Sequence, residues 1–347
     1  MSSGQQHAEQ PPLAGQPPLT DQELASALKA DLAVVEELIR DSIASDAPLL
    51  REASRHLIDA GGKRYRPMLT LLAARFGDPD DPDVLRAAAA CELVHAAALC
   101  HDDVLDGASL RRGRSSVNAR WSDAVAILTG DFLFAQAFLL LAAVPRQEAR
   151  MEVETFVRLV TGQIREMTGP ADGEDPTDYY VTMVSDKTAS LIRACVRLGA
   201  LTSGAGETTV RALEEYGDAF GVAFQISDDL LDLFGEEERS GKRQGTDLLK
   251  GAPTLPLLYA LSGTGQDSER LRALLGPVPG TERRSRLTTE ERAEATELLR
   301  RHPAVEQTRE RLDAYITRAR AALAPLSEGP ARDTLEALCA GVAHRAG

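Results

Sequence analysis

Aromatic side chains are scarce in this chain, 4% of 347 residues with a single tryptophan. Strands favour aromatic and β-branched residues, so this scarcity, beside abundant alanine and leucine, argues for helices and against a sheet. Positive charge is also in deficit: 39 lysines and arginines against 53 aspartates and glutamates leave a formal net charge of −14, which argues against nucleic acid as a partner. Cysteine is limited to Cys91, Cys100, Cys195 and Cys339, with no CxxC and no histidine at metal-ligand spacing. Three of the four fall in apolar helical patterns and read as buried reduced thiols of a cytoplasmic protein. The longest apolar stretches are broken by Glu92, His95 or Gln136, and no basic-then-apolar leader opens the chain. No transmembrane segment is expected.

What is present is helical periodicity punctuated by charge. Residues 1–20 are rich in Pro, Gln, Gly and Ser and read as a disordered tail; one domain is expected over 21–347. Thr20 is a candidate N-cap, followed by Leu24, Leu28, Leu32, Val35 and Leu38 at helical spacing. A second helix over about 45–59 stops at Gly61-Gly62. Residues 84–101 are apolar on all sides, as in a helix buried inside a bundle, and end in Asp102-Asp103-Val104-Leu105-Asp106. If the helix continues, Asp102 and Asp106 share a face with Cβ atoms roughly 6 Å apart. Three carboxylates at a helix C-terminus repel one another and oppose the macrodipole, so a positive partner is needed. A solvated acidic helix end would look the same, but the pattern recurs: Asp228-Asp229-Leu230-Leu231-Asp232 closes a second apolar helical run. Two such ends suggest one cavity with an acidic rim on both sides, suited to Mg²⁺ shared with phosphate oxygens.

Basic islands complement this rim. Lys63-Arg64-Tyr65-Arg66-Pro67 sets three cations at a helix N-terminus, where backbone N–H groups also favour an anion. The plain alternative is a solubilising turn. Arg111-Arg112-Gly113-Arg114 follows the first acidic cluster and either neutralises the aspartates or holds phosphate; the bidentate fork of arginine favours the second. Helices are expected over about 120–144, 147–168 and 178–203, with final helices over about 303–324 and 329–344. Residues 235–253 read as a loop beside the second cluster, and the charge-rich 263–292 as a surface excursion. No strands and no internal repeat are evident.

Seven motifs in order carry a resemblance: Gly61-Gly62-Lys63-Arg64-Tyr65-Arg66-Pro67, Glu92-Leu93-Val94-His95, His101 to Asp106, Arg111-Arg112-Gly113, Gly130-Asp131, Lys187-Thr188, and Phe224-Gln225-Ile226-Ser227-Asp228-Asp229-Leu230-Leu231-Asp232. Over about residues 21–345 the chain resembles the trans-isoprenyl diphosphate synthases of the polyprenyl synthetase family. The resemblance implies an all-α, single-domain antiparallel helical bundle around a central cavity, and condensation of an allylic diphosphate with isopentenyl diphosphate. It implies Mg²⁺ held by Asp102, Asp106 and Asp228, with Asp103, Asp229 and Asp232 sharing or supporting that role. Lys63, Arg66, His95 and Arg112 match residues that hold isopentenyl diphosphate, and Arg111, Lys187, Thr188, Gln225 and Lys242 match contacts to the allylic diphosphate. Lys187 and Gln225 join the aspartates as the catalytic set. His95 stands two helical turns, roughly 10 Å, before Asp102. Phe224 is placed to meet the allylic cation with its ring face, and the released diphosphate is the expected proton acceptor. One departure is Ala252, ahead of Pro253-Thr254-Leu255-Pro256, where many members carry lysine; here Lys250 lies two positions earlier.

The resemblance also bears on product length. Family members that stop early commonly carry an aromatic five residues before the first aspartate, a position filled here by Ala97 between Ala96 and Ala98. A long all-trans product, hexaprenyl to decaprenyl, is expected, its limit set there or by Phe132, Phe134 or Phe138. The alternatives are geranylgeranyl or farnesyl diphosphate synthase, a terpene cyclase, or a regulatory subunit of a heteromeric synthase. Against the last two stand the duplicated DDxxD pattern and the isopentenyl diphosphate grip. A homodimer is implied by the family alone.

Overall fold

The structure is a computed structural model that describes residues 21–144, 146–171, 173–234, 252–276 and 287–345. The expected tail, Lys242, Lys250 and nearly all of the 235–253 loop lie outside these residues. The all-α expectation holds. In chain order the helices are α1 (Gln22–Ser42), α2 (Pro48–Ile58), α3 (Tyr65–Ala74), α4 (Pro82–Leu105), α5 (Val117–Arg120), α6 (Asp123–Leu141), α7 (Arg146–Thr168), α8 (Pro176–Val184) and α9 (Ser190–Thr202). They continue as α10 (Glu207–Phe234), α11 (Leu255–Ser262), α12 (Gln266–Leu275), α13 (Thr289–Arg301), α14 (Ala304–Ala322) and α15 (Pro330–Arg345).

Local chemistry explains the boundaries. Asp21, not Thr20, caps α1, its side chain accepting from the Leu24 amide at 2.7 Å. Asp81 caps α4 with Pro82 just inside, where a missing N–H costs nothing. Thr288 and Glu291 form a reciprocal capping box on α13.

Three expectations are corrected. Strands are present after all, as a two-residue hairpin pairing β1 (Leu110–Arg111) with β2 (Arg114–Ser115), because Arg111-Arg112-Gly113-Arg114 turns tightly. The helix expected over 178–203 is interrupted by a π segment, Ser185–Ala189, between α8 and α9. Residues 263–292 are not a mere excursion: α12 buries Leu271, Leu274 and Leu275 in a second apolar cluster with Leu257, Leu298 and Leu299. Its three buried leucines were masked in the sequence by the surrounding charge.

The main core is built around α4 and α10. Helix α4 packs against α6, α3, α1 and α9, while α10 packs against α9, α14 and the π segment. Residues Ala87 to Val94 are buried without exception. Two helices, Pro82–Leu105 and Asp123–Leu141, are long and apolar enough to cross a membrane. The first is a core helix; the second turns a broad apolar side outward, with Leu128 and Leu139 more than 60% exposed.

Candidate active site

The mouth of the bundle is organised by α4. From Ala87 to Cys100 only His95, Ala98 and Leu99 are accessible, and they run at helical spacing into Asp102 and Asp106. Ala97 is fully buried, so the alanine standing one turn below Asp102 on the open side is Ala98. Burial pushes the Asp102 carboxyl above its usual range; Lys187 pulls it back, while Asp106 and Glu166 push it further up. A partly buried Asp102 beside an exposed Asp106, with Glu166 nearby, is a donor set that a divalent cation would stabilise.

Asp103 differs from its neighbours. It is fully buried, and Arg111 donates to its Oδ1 from both Nε, at 2.9 Å, and Nη2. Arg111 therefore neutralises an aspartate with two of its nitrogens, the reading that sequence reasoning placed second. Asn118 donates to the Asp103 carbonyl at 3.2 Å, so the arginine hairpin and α5 are tied to the end of α4.

The second cluster divides in the same way. Asp228 and Asp232 are half-buried, whereas Asp229 is enclosed. Asp229 accepts from Tyr180 Oη at 2.7 Å, Gln225 Nε2 at 3.1 Å and the Leu255 amide at 3.1 Å. It thereby staples α10 to α8 and to the first turn of α11. The Pro253-Thr254-Leu255-Pro256 stretch thus meets the cluster through a backbone N–H.

The π segment stands between the two clusters. Lys187 forms an ion pair with Glu166 of α7 and feels both Asp102 and Asp106, which hold its ammonium in the charged form despite burial. The next residue, Thr188, donates to Gln225 Oε1 at 3.0 Å on α10. One five-residue segment therefore reaches both carboxylate clusters, as π segments at functional sites often do.

Across the site lies the Gly61–Arg66 turn. Lys63 is lowered by partial burial and by Arg345, and raised by Asp228. The half-buried His95 is held neutral by desolvation and by surrounding arginines, Arg66 and Arg112 first. Arg112 adopts a left-handed φ of 52° and donates to the Gly61 carbonyl. Its guanidinium lies so close to Gly62 that a Cβ there would sit 2.8 Å away. Cations gathered around a neutral imidazole make a pocket for a multivalent anion.

Arg64 does not belong to that group. Its side chain turns inward to Glu36, to Glu92 Oε1 at 2.8 Å and to the Ile58 carbonyl at 3.0 Å. Only two of the three cations of the turn, Lys63 and Arg66, remain for a ligand. Sequence reasoning also missed Glu166, Tyr180 and Arg345. Arg345 reaches the site from the last turn of α15, over the Phe224 ring at 5.4 Å. Glu166 and Tyr180 meet their partners only through helix packing, and no sequence spacing announces them. The candidate floor residues separate as well: Phe134 packs on Phe156 at 4.1 Å and on His101 at 5.8 Å, and Phe138 on Phe156 at 6.1 Å.

The chain is similar to known proteins over most of its length. The family model described as polyprenyl synthetase matches residues 47–290. The nonaprenyl diphosphate synthase of Mycobacterium tuberculosis is 42% identical over 322 residues, 92% of this chain and 94% of that one. A decaprenyl diphosphate synthase from Rhodobacter capsulatus superposes with a TM-score of 0.84 at 35% identity, covering 94% of this chain and 99% of that one. A geranylgeranyl pyrophosphate synthase from Corynebacterium glutamicum, complexed with calcium and isoprenyl diphosphate, gives 0.83 at 36% identity, covering 95% and 99%.

Proposed function

The chain belongs to the polyprenyl synthetase family and is a prenyltransferase that lengthens an allylic diphosphate, and from that premise we propose how its residues divide the work. The observation that carries the assignment is the π segment, whose adjacent Lys187 and Thr188 serve the two aspartate clusters.

Asp102 and Asp106 on one side and Asp228 on the other fit a hard divalent cation, Mg²⁺. Among the described residues no three His, Cys, Asp or Glu side chains close on a metal by themselves, which suits an ion that shares its shell with waters and diphosphate oxygens. Such an ion would neutralise the charge that develops on the leaving diphosphate. Asp103 and Asp229 act in support, the first orienting Arg111 and the second fixing the helices around Gln225. Lys187, Thr188 and Gln225 hold the allylic diphosphate with Arg111; Lys242 belongs to the same proposed set. Lys63, Arg66, His95 and Arg112 hold isopentenyl diphosphate. His95 serves as a neutral hydrogen-bonding group, and Phe224 faces the developing allylic cation. The released diphosphate accepts the final proton.

The product is a long all-trans polyprenyl diphosphate. Ala98, below Asp102 on the open side of α4, leaves the path of the tail clear, and Phe134 with Phe138 and Phe156 supplies the apolar barrier further down.

The second copy of a homodimer covers the apolar side of α6. Ala124, Leu128, Ala135 and Leu139 form one exposed stripe, and Val153, Val157, Val160, Ile164 and Met167 form another on α7. Apolar stripes of this extent mark interfaces, and small alanines let helices approach closely. Buried reduced thiols fit a cytoplasmic enzyme.

Purified protein incubated with Mg²⁺, isopentenyl diphosphate and a panel of allylic starters should give products longer than geranylgeranyl, resolved by chromatography. Asp102→Asn should lower turnover on the order of a hundredfold or more. Failure to lengthen any starter would overturn the activity, and products ending at geranylgeranyl would overturn the length. In sedimentation the wild type should run as a dimer and Leu128→Asp as a monomer; a monomeric wild type removes the dimer.

A further inference from the structure

One face of α7 is dedicated to the π segment. Arg158, Gly162 and Glu166 follow one another at four-residue intervals, so they stack along a single side of the helix. Glu166 pairs with the Lys187 ammonium. Gly162 lets the two backbones touch: a Cβ there would lie 2.4 Å from the Lys187 amide nitrogen. On the opposite side Gly221 of α10 plays the same part, since its Cβ would lie 2.5 Å from the Ala189 Cα. The π segment is therefore seated between two helices whose glycines, Gly162 and Gly221, leave room for its close approach.

Arg158 supplies the closest side-chain anchor, with Arg165 Nε standing further off at 3.9 Å from Asp186 Oδ2. Arg158 Nε donates to Asp186 Oδ1 at 2.9 Å and its Nη2 to the Ser185 carbonyl at 3.1 Å. The same carbonyl accepts the Ser190 amide in the wide turn, and the Asp186 carbonyl accepts from Ser190 Oγ at 2.5 Å. A π turn inserts one extra residue and strains the regular hydrogen-bond ladder, so it persists where side chains hold the displaced groups. Here one guanidinium holds both a carbonyl and the carboxylate of the residue just before Lys187. Left unanchored, the turn would relax toward a regular α-helix, rotating Lys187 about the axis by roughly 100° per residue shifted.

We propose that Arg158 is a positioning residue for the allylic substrate: by locking Ser185 and Asp186 it aims Lys187 at the diphosphate beside Asp102. The proposal rests on the substrate role assigned to Lys187 above. It makes a specific kinetic claim, because the hydrogen bonds of Arg158 all go to the π segment and its charge otherwise meets Asp218 of α10, whereas the isopentenyl diphosphate cations stand on the Gly61–Arg66 turn and the hairpin.

The test is steady-state kinetics of the full chain with Mg²⁺, varying each substrate in turn, on wild type, Arg158→Ala, Arg158→Lys, Lys187→Ala and the Arg158→Ala/Lys187→Ala double variant. Arg158→Ala should raise the KM for the allylic diphosphate about tenfold, the scale of one charge-assisted contact, and leave the KM for isopentenyl diphosphate within about twofold. Arg158→Lys should restore part of the loss. Adding Arg158→Ala to Lys187→Ala should change little, because the group being aimed is already gone. Equal shifts in both KM values, additive losses in the double variant, or no shift at all would overturn the positioning role. If Arg158→Ala does not fold, Asp186→Ala removes the carboxylate that Arg158 holds while leaving its Ser185 contact, and should raise the allylic KM in the same direction by a smaller factor with the isopentenyl diphosphate KM unchanged; an unchanged allylic KM would overturn the positioning role. A wild type that lengthened no starter would overturn the activity and this proposal with it, whereas the kinetic outcomes above sink the positioning role alone.

Discussion

Replacing Arg64 with glycine sets two large effects against each other. Arg64 sits at φ 46°, a left-handed conformation that costs a non-glycine residue roughly 1–2 kcal/mol, so glycine gains about 1 kcal/mol in backbone strain. Against that stands a buried ion pair. Glu92 is 2% exposed and takes its contact from Arg64 Nη1 at 2.8 Å, while the other nitrogens serve Glu36 and the Ile58 carbonyl. Removing one partner of a buried pair costs about 3–5 kcal/mol, because the remaining charge is left in an apolar site. The loss should win by about 2–4 kcal/mol, measured as a lower urea midpoint at unchanged slope. A second variant isolates the cause: Arg64→Gly with Glu92→Leu removes the stranded carboxylate and should recover most of the stability. The KM for isopentenyl diphosphate should stay high in both, since the turn carrying Lys63 and Arg66 has lost its anchor. An Arg64→Gly protein as stable as wild type would refute the reasoning, for it would mean that the inward turn of this arginine merely tolerates its surroundings.

Other consequences are simpler. All four cysteines are buried, with the Cys100 and Cys339 thiols pushed up to about 12 and about 11; iodoacetamide at pH 8 should leave the folded protein unmodified and label four sites after unfolding, and rapid labelling of the native state would contradict the packing. His302 accepts the Ala304 amide on Nδ1 at 3.1 Å and lies 2.9 Å from Ser268 Oγ through Nε2. Burial holds it below its ordinary value of 6.5. The unfolded chain therefore binds the proton more readily, so stability is full above about pH 6.5 and falls as pH drops toward the folded value. The His302→Gln variant should lose less stability than wild type between pH 7 and pH 5, and parallel curves would exclude this histidine. Ala98→Phe should shorten the product by mass spectrometry and Phe134→Ala should lengthen it, whereas Phe132→Ala should have the smaller effect; a length unchanged in both Ala98→Phe and Phe134→Ala moves the limit elsewhere.

The sequence by itself determined the class of fold and the chemical inventory. Helical periodicity is a local property, so the runs ending in Asp102 and Asp228 were legible as buried helices, and the spacing of each aspartate pair placed it on one face. The motif set, read in order, carried the family. What the sequence left open were choices made by packing. Among the three cations of the Gly61–Arg66 turn, only contact with α1 and α4 decided that Arg64 turns inward. Among the aspartates, only enclosure by Arg111, and by Tyr180 with the α11 backbone, set Asp103 and Asp229 apart from their neighbours. The π segment left no mark in the periodicity, because one extra residue in a turn changes neither composition nor apolar pattern. Its Ser185 carbonyl and Lys187 find partners on α7, more than twenty residues away in the chain. Spacing records what lies along one helix, and the site is made where helices meet.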